Sequence, residues 1–340
     1  MEAILLVGGL GTRLRPLTAN LPKPMLPVAG VPLVVHQIAR LRAAGVDHVV
    51  LATSYRAEVF ADALGDGSAV GVRVDYAVED EPLGTGGAIR NAADLLTCAD
   101  DDPVVVFNGD IVDGHDIAGQ IRRHREADAA ATLYLTRVAD PRAYGCVPTD
   151  GDRVTAFLEK TPDPVTDQIN AGCYVFRRGV ISSIPSGQVV SVERETFPGL
   201  VAGGELVLGL VDDAYWRDLG TPESYIQGCA DVVQGHVDAP ARPGPAGPHL
   251  VLEGAEVHDG ARLGGGTCVG SGAVVHDGAQ VHGSVVLDDA LVGEKAEVRA
   301  SALGRGVVVG ERAVLDGVVV GDGVTVPAGA TPEPGSRLTE

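Results

Sequence analysis

The sequence predicts an α/β domain with a mixed, mostly parallel sheet, followed across a short linker by a parallel β-helix. Three observations carry this reading. Apolar strand-like runs alternate with helical spacings from the first residues to roughly position 230. The stretch from Val237 to Pro248 reads Val-Asp-Ala-Pro-Ala-Arg-Pro-Gly-Pro-Ala-Gly-Pro, a linker by composition. Beyond it an apolar residue recurs every six positions, at Val257, Leu263, Val269, Val275, Val281 and Leu287. The period slips and resumes at Val292 and Val298, at Leu303, Val309 and Leu315, and at Val320 and Val326. Glycine, alanine and aspartate fill the spaces. This is the pattern of hexapeptide repeats, with one inward apolar residue per repeat and roughly four to five stacked turns. The expected boundaries are 1–233, 234–249 and 250–330.

Taken in order, the opening strand is Ala3–Val7 and a glycine loop follows it. Leu33, Val34, Ile38 and Leu41 recur at helical spacing, and Gly45 ends that helix. Val46–Ala52 is the next strand, with His48 inside it as a structural residue. Glu58–Leu64 is a short helix, Val72–Val78 a strand, Thr85–Leu96 a helix and Pro103–Phe107 a fully apolar strand. A polar helix over 115–126 and a strand over 130–138 come next. Tyr144–Val147 and Val154–Leu158 read as a hairpin around Asp150-Gly151-Asp152. Ser191–Glu195 starts another helix, and Trp216, the one tryptophan, is assigned to the core. In such sheets ligands gather outside the carboxyl ends of the strands.

Composition narrows the function. The net charge of −20 repels nucleic acid and anionic membranes over most of the surface, so an anionic substrate needs local cations. Lysine occurs only at Lys23, Lys160 and Lys295, and the first two fall inside motifs. Aromatics at 4% offer no stacking platform for single-stranded nucleic acid. No apolar run is long enough to span a membrane, and no basic region precedes the first strand, so neither a membrane anchor nor a signal peptide is expected. The cysteines Cys98, Cys146, Cys173, Cys229 and Cys268 are scattered and form no Cys-x-x-Cys, which points to reduced thiols in the cytoplasm and away from zinc.

The motifs carry the chemistry. Gly8, Gly9 and Gly11 let backbone N–H groups approach a ligand, and Arg13, Arg15 and Lys23 add three cations beside them. N–H donors plus cations at the carboxyl end of a strand suit a triphosphate. Walker A is excluded because Thr12-Arg13 follows Gly11, and the dinucleotide fingerprint because Leu14 stands where its third glycine belongs. The stretch Glu79-Asp80-Glu81-Pro82-Leu83-Gly84-Thr85 begins at a strand end. Its small residues leave room for a flat base. A carboxylate there accepts from both N1–H and the 2-amino group of guanine. Glu79 and Glu81 compete for that role, and either reads equally as a solvated loop acid. Phe107-Asn108-Gly109-Asp110 ends a strand on a carboxylate that can bridge a hard cation to phosphates. Asp113 and Asp116 fit the following loop and helix cap.

The run Gly-Gly-x-Gly-Thr-Arg-Leu-x-Pro-Leu-Thr…Pro-Lys-Pro-Met-Leu-Pro over residues 8–27 resembles the signature of the sugar-1-phosphate nucleotidyltransferases, also called nucleoside-diphosphate-sugar pyrophosphorylases. The resemblance runs the length of the chain and is nearest to bacterial mannose-1-phosphate guanylyltransferases. It implies a Rossmann-like nucleotidyltransferase domain, a left-handed β-helix, and transfer of a nucleotidyl group from an NTP, with GTP favoured, to a sugar 1-phosphate, with mannose 1-phosphate favoured. It implies Mg²⁺ held by Asp110 and by Asp218 before its Gly-Thr-Pro turn, with Asp212 and Asp213 as competitors for the second place. Nucleotide binding falls to Leu6, Gly8, Gly9, Gly11, Thr12, Arg13, Lys23, Glu79, Pro82, Gly84 and Thr85. Sugar-phosphate binding falls to Asn108, Gly109, Gly145, Glu159, Lys160, Asn170 and Gly172. Arg13, Lys23, Asp110, Lys160 and Asp218 form the expected catalytic set. Other readings stay open: a heptose or valienol-type cyclitol 1-phosphate as acceptor, uridylyl, thymidylyl or adenylyl transfer to glucose 1-phosphate, a catalytically silent regulatory paralogue, or an added acyltransferase activity. For that last reading His258, His276 and His282 are the candidates, but they read as structural. A homo-oligomer, formed through the β-helix, is also expected.

Overall fold

A computed structural model describes residues 1–54 and 56–339. It resolves into two compact units. One comprises Met1–Gly9 and Gln37–Trp216, and the other Leu10–His36 and Arg217–Glu340.

The first unit is built on a nine-stranded sheet. Its strands are β1 (Glu2–Leu6), β2 (His48–Thr53), β3 (Arg73–Val78), β4 (Pro103–Asn108), β5 (Ala131–Arg137), β6 (Thr149–Asp150), β7 (Arg153–Val154), β8 (Gln168–Arg177) and β9 (Val207–Val211). The spatial order is β3-β2-β1-β4-β8-β5-β9-β7-β6. β3, β2, β1 and β4 are mutually parallel, β8 runs antiparallel to both β4 and β5, and β9 is parallel to β5. The sheet is therefore mixed, with its parallel half at the amino-terminal motifs. β1, β2 and β4 are continuous apolar runs because helices cover both faces. Ile4, Val50, Val104, Val106, Leu133, Tyr174 and Phe176 form one core with Phe197, whose ring stacks on Phe176 at 5.5 Å. Each such side chain contributes about 1.5–3 kcal/mol by burial.

The helices are α1 (Leu33–Ala43), α2 (Ala57–Leu64), α3 (Gly84–Ala92), α4 (Ile117–Ala127), α5 (Arg178–Ser182), α6 (Phe197–Ala202) and α7 (Pro222–Gln234). Asp116 caps α4 through the Gly119 N–H, as its position before the helix suggests. Two expectations shift. The helix expected from Ser191 is π-helical over Val192–Thr196 before it becomes α6. The expected hairpin pairs Thr149–Asp150 with Arg153–Val154, and Cys146 meets Leu158 only as an isolated bridge. His48 is structural: its Nδ1 meets Glu2 at 2.6 Å and its Nε2 meets Asp75 at 2.9 Å. No helix among the described residues is long and apolar enough to cross a membrane, and all five cysteines are free thiols.

The second unit contains the left-handed β-helix. Its short strands stack into three parallel sheets of six, five and four strands. Val269, Val275 and Val281 lie in columns of inward apolar residues, two of which start a coil earlier at Val257 and Leu263. The slip in the six-residue period has a plain structural meaning. Coils climb by 18 residues at first, as from Glu256 to Val274. They then climb by 17, as from Cys268 to Val285. One corner loses a residue while the inward columns stay aligned. In the first sheet the outward row is buried as well: Leu250, Cys268, Val285, Ala302 and Val319 are all under 9% exposed. Within this unit α7 and Leu10–His36 pack on the β-helix. Ala230 lies against Gly266, Leu252 against Gly30, and Pro16 against Gly321, while Arg337 donates to the Arg15 carbonyl at 3.1 Å.

Candidate active site

Most of the expected site residues belong to the first unit, at the carboxyl ends of its parallel strands. Leu6 ends β1 opposite Asn108 of β4. Gly8 accepts a hydrogen bond from Ser54 Oγ at 2.9 Å, which ties the start of the glycine loop to the end of β2. Gly109 donates its N–H to the Leu6 carbonyl at 2.9 Å, so the turn carrying Asp110 is fixed to β1. Asp110 itself is half-buried.

The two acids of the base loop separate cleanly. Glu81 is exposed, whereas Glu79 is buried and its N–H donates to the Thr53 carbonyl at 2.8 Å. Burial pushes the Glu79 carboxyl above its ordinary range, against an opposing N–H from Leu83. One of its oxygens, Oε1, is buried with no hydrogen-bond partner. A buried acceptor without a donor is costly unless a ligand supplies one. Pro82 and Gly84 stay exposed. The small residues of α3 do not leave open room for a base: a Cβ on Gly86 would lie 2.8 Å from Val190 Cγ1, and one on Gly87 2.5 Å from the Gln188 carbonyl. Those glycines admit the 188–190 backbone instead. Thr85 is likewise engaged, donating to Glu193 Oε2 at 2.7 Å and accepting from Val192 N–H at 2.9 Å.

The Glu159–Lys160 pair forms a turn with Lys160 at φ +49° and its ammonium 3.6 Å from Glu159. Burial raises the Glu159 pKa, Lys160 opposes that, and Glu193 adds to it. Gly145 packs on this turn. A Cβ there would lie 2.8 Å from Glu159 Cα and from Lys160 N, and its φ is +83°. Gly145→Ala should therefore cost about 1–3 kcal/mol of stability. It should also raise the KM for the sugar phosphate, checked by thermal melts beside steady-state kinetics. In β8 the pairing with β5 slips between Asn170 and Tyr174, a bulge that takes in Ala171 and Gly172. It sets Gly172 against Asn108, whose Oδ1 is buried and unpartnered.

Trp216 is half-buried rather than a core residue. Its indole N–H donates to the Ala171 carbonyl at 2.9 Å, and Tyr144 meets its ring edge-on at 5.4 Å. This aromatic pair beside Gly172 and the Thr85–Glu193 link were missed in the sequence. The lone tryptophan close to Asp218 was the available signal for the first, and the second had none.

Gly11, Thr12, Arg13, Lys23 and Asp218 lie in the second unit. Gly11 takes φ +60° and packs on Lys23 and Thr18. Thr12 and Arg13 are exposed on the short helical turn that follows. Lys23 is buried with its ammonium 3.5 Å from Asp218 Oδ1. A Cβ on Gly220 would lie 2.7 Å from the Arg13 guanidinium and 2.9 Å from Asp218 Oδ1, so Arg13 and Asp218 flank one point. Thr221 caps α7 through Ser224 N–H, and Ser224 Oγ donates to the Asp218 carbonyl. The Gly-Thr-Pro turn thus fixes Asp218. Asp212, by contrast, accepts from Ala214 N–H within its own turn, and Asp213 is exposed.

Residues 2–235 match the nucleotidyl transferase family model, and residues 246–331 match the GMPPB C-terminal domain. A mannose-1-phosphate guanylyltransferase of Mycobacterium tuberculosis is 56% identical over 259 residues, 76% of this chain and 71% of that protein. A mannose-1-phosphate guanyltransferase of Yarrowia lipolytica is 38% identical over 67% of this chain and 63% of its own length. Among solved structures, HddC from Yersinia pseudotuberculosis complexed with GMP-PN superposes with a TM-score of 0.57 at 30% identity, over 68% of this chain and 99% of that one. The nucleotidyl transferase family generally uses a divalent metal. The chain belongs to the nucleotidyl transferase family, as an enzyme of the sugar-1-phosphate nucleotidyltransferase kind.

Proposed function

We propose that the protein transfers the guanylyl group of GTP to mannose 1-phosphate, giving GDP-mannose and pyrophosphate. A phosphate oxygen of the sugar attacks the α-phosphorus in line, the new oxygen–phosphorus bond forms, and the bond to the β-phosphate oxygen breaks. No covalent enzyme intermediate is needed, so positioning and charge neutralisation carry the rate. Lys23 and Arg13 hold the triphosphate and steady the departing pyrophosphate. Lys160, held in its turn by Gly145, orients the sugar phosphate, and Glu159 accepts from sugar hydroxyls.

Mg²⁺ is the proposed metal. No cluster of three or more His, Cys, Asp or Glu able to hold an ion occurs among the described residues. The proposed ligands are Asp110 and Asp218. Two hard carboxylates fit an ion that keeps waters and takes the rest of its shell from substrate phosphates. When bound, such an ion neutralises charge developing on the α-phosphate.

The observation that carries the choice of base is Glu79, with its buried, unpartnered oxygen at the end of β3. Guanine offers two adjacent donors and a carboxylate accepts both. Glu79→Gln should lower kcat/KM for GTP by about a hundredfold and leave ATP and UTP nearly unchanged, because an amide has one acceptor where two are needed. Its stability should move the other way. A carboxyl whose pKa is raised on folding costs stability once pH exceeds its unfolded value, and the cost fades as pH falls through the folded value. Removing the charge should thus leave Tm at or above that of the parent at neutral pH. Glu81→Gln is the paired control. The encompassing test is a pyrophosphate-release panel crossing four NTPs with mannose, glucose, heptose and cyclitol 1-phosphates. Preference for UTP or dTTP would overturn the guanylyl assignment.

A further inference from the structure

We propose that Gln37 is a positioning residue for the Asp110 carboxylate, acting by clamping the turn that carries it. Gln37 sits mid-way along α1 and is only 3% exposed, an unfavourable place for an amide unless it is bonded. Its Nε2 donates to the Asn108 carbonyl at 2.9 Å and to the Ile111 carbonyl at 3.0 Å. Those carbonyls stand on either side of Gly109-Asp110. One side chain therefore closes the turn with both of its amide protons. The orientation is fixed by chemistry: rotating the amide would point its oxygen at two carbonyl oxygens. In the present orientation Oε1 is buried with no partner, so the donors, not the acceptor, account for an amide at this position.

The next turn of α1 extends the clamp. Arg40, three residues on and on the same face, pairs with the buried Asp113 carboxylate and donates to the His115 carbonyl at 2.6 Å. Residues 108, 111, 113 and 115 are thus all tied to one helix, and Gly109 is tied to β1. Asp110 is left at the apex of a turn with both ends held. A metal-binding carboxylate needs its position kept within about 0.5 Å, and this arrangement supplies that rigidity. Leucine or methionine would fill the space without supplying a donor.

The inference rests on the reading of Asp110 as a ligand of the divalent ion. The test uses the full-length protein saturated with α,β-methylene-GTP and titrated with Mn²⁺, followed by the enhancement of water-proton relaxation. Gln37→Met keeps the volume and loses both donors. Gln37→Glu keeps the shape, offers at most one donor, and carries the test should the first variant fold poorly. Each should weaken Mn²⁺ binding by about five- to tenfold. Added to Asp110→Asn, neither should weaken it further, because the clamp then holds no ligand. Parent-like Mn²⁺ binding in both Gln37 variants, or a full additional loss on top of Asp110→Asn, would overturn the proposal alone. Parent-like binding in Asp110→Asn would overturn the metal reading and this inference with it.

Discussion

Asp218→Asn is expected to lower kcat by about 10²–10³-fold, with a smaller change in the KM for GTP. The reason lies in what surrounds the carboxylate. Lys23 is buried with its ammonium 3.5 Å away, and the Arg13 guanidinium flanks the same point at Gly220. The negative charge thus pairs with one buried cation and stands near a second, as well as serving the proposed ion. An amide of the same shape keeps the geometry and removes the charge. Stability should fall too, by about 1–3 kcal/mol, because the buried Lys23 ammonium loses this ion pair. The two effects separate by measuring pyrophosphate release well below each variant's Tm at saturating substrates. Asp212→Asn and Asp213→Asn are the controls. Asp212 is spent on its own turn and Asp213 is exposed, so both should remain within a factor of about two to three of the parent. A loss below tenfold in Asp218→Asn, or an equal loss in Asp212→Asn, would remove Asp218 from the mechanism.

What was legible in the sequence follows from where the physics is local. β1, β2 and β4 announce themselves because strands covered on both faces must be continuously apolar, and β1 and β4 each end at a motif. The β-helix is legible because its core condition repeats; the slips at 298–303 and 315–320 mark 17-residue coils, while the first slip falls at 281–286, because Val286 rather than Leu287 takes the inward place above Val269. β8 was missed although it lies at the centre of the sheet. Its text, Gln-Ile-Asn-Ala-Gly-Cys-Tyr-Val-Phe-Arg, is interrupted by the bulge after Asn170 that sets Gly172 against Asn108. The feature that hides the strand is the one that shapes the site. β9 was missed because it is short and finds its partner, β5, across more than 70 residues of chain. Gln37 gave no signal at all. On α1 it reads as one of several polar residues, and its acceptors lie 71 and 74 positions away. Choosing between Glu79 and Glu81 also needed burial, since both are acids in one loop.

Deleting the β-helix after Val237 is expected to abolish GTP binding rather than merely to dissociate an oligomer, with affinity falling by at least about tenfold. From the sequence alone the repeats read as separable: truncation near Val237 is expected to leave a folded domain that keeps some nucleotide binding but loses oligomeric contacts. The packing inside the second unit argues otherwise. The signature segment Leu10–His36, which carries Arg13 and Lys23, folds as part of that unit. Leu252 fills the space beside Gly30, Pro16 packs at Gly321, and Arg337 holds the Arg15 carbonyl. The outward row Leu250, Cys268, Val285, Ala302 and Val319 is nearly dry because the rest of the unit covers it. Truncation would expose the other side of that apolar contact and leave the cation-bearing loop without its support. Full-length Leu252→Asp should reproduce part of the effect. A charge placed against Gly30 disturbs the loop while leaving the inward columns of the β-helix intact, so the KM for GTP should rise more than Tm falls. Isothermal titration with α,β-methylene-GTP, paired with light scattering, separates the outcomes. If the truncated chain is monomeric and binds the nucleotide as the full chain does, the β-helix serves assembly alone. If Leu252→Asp weakens nucleotide binding with the assembly unchanged, the β-helix holds the phosphate loop directly.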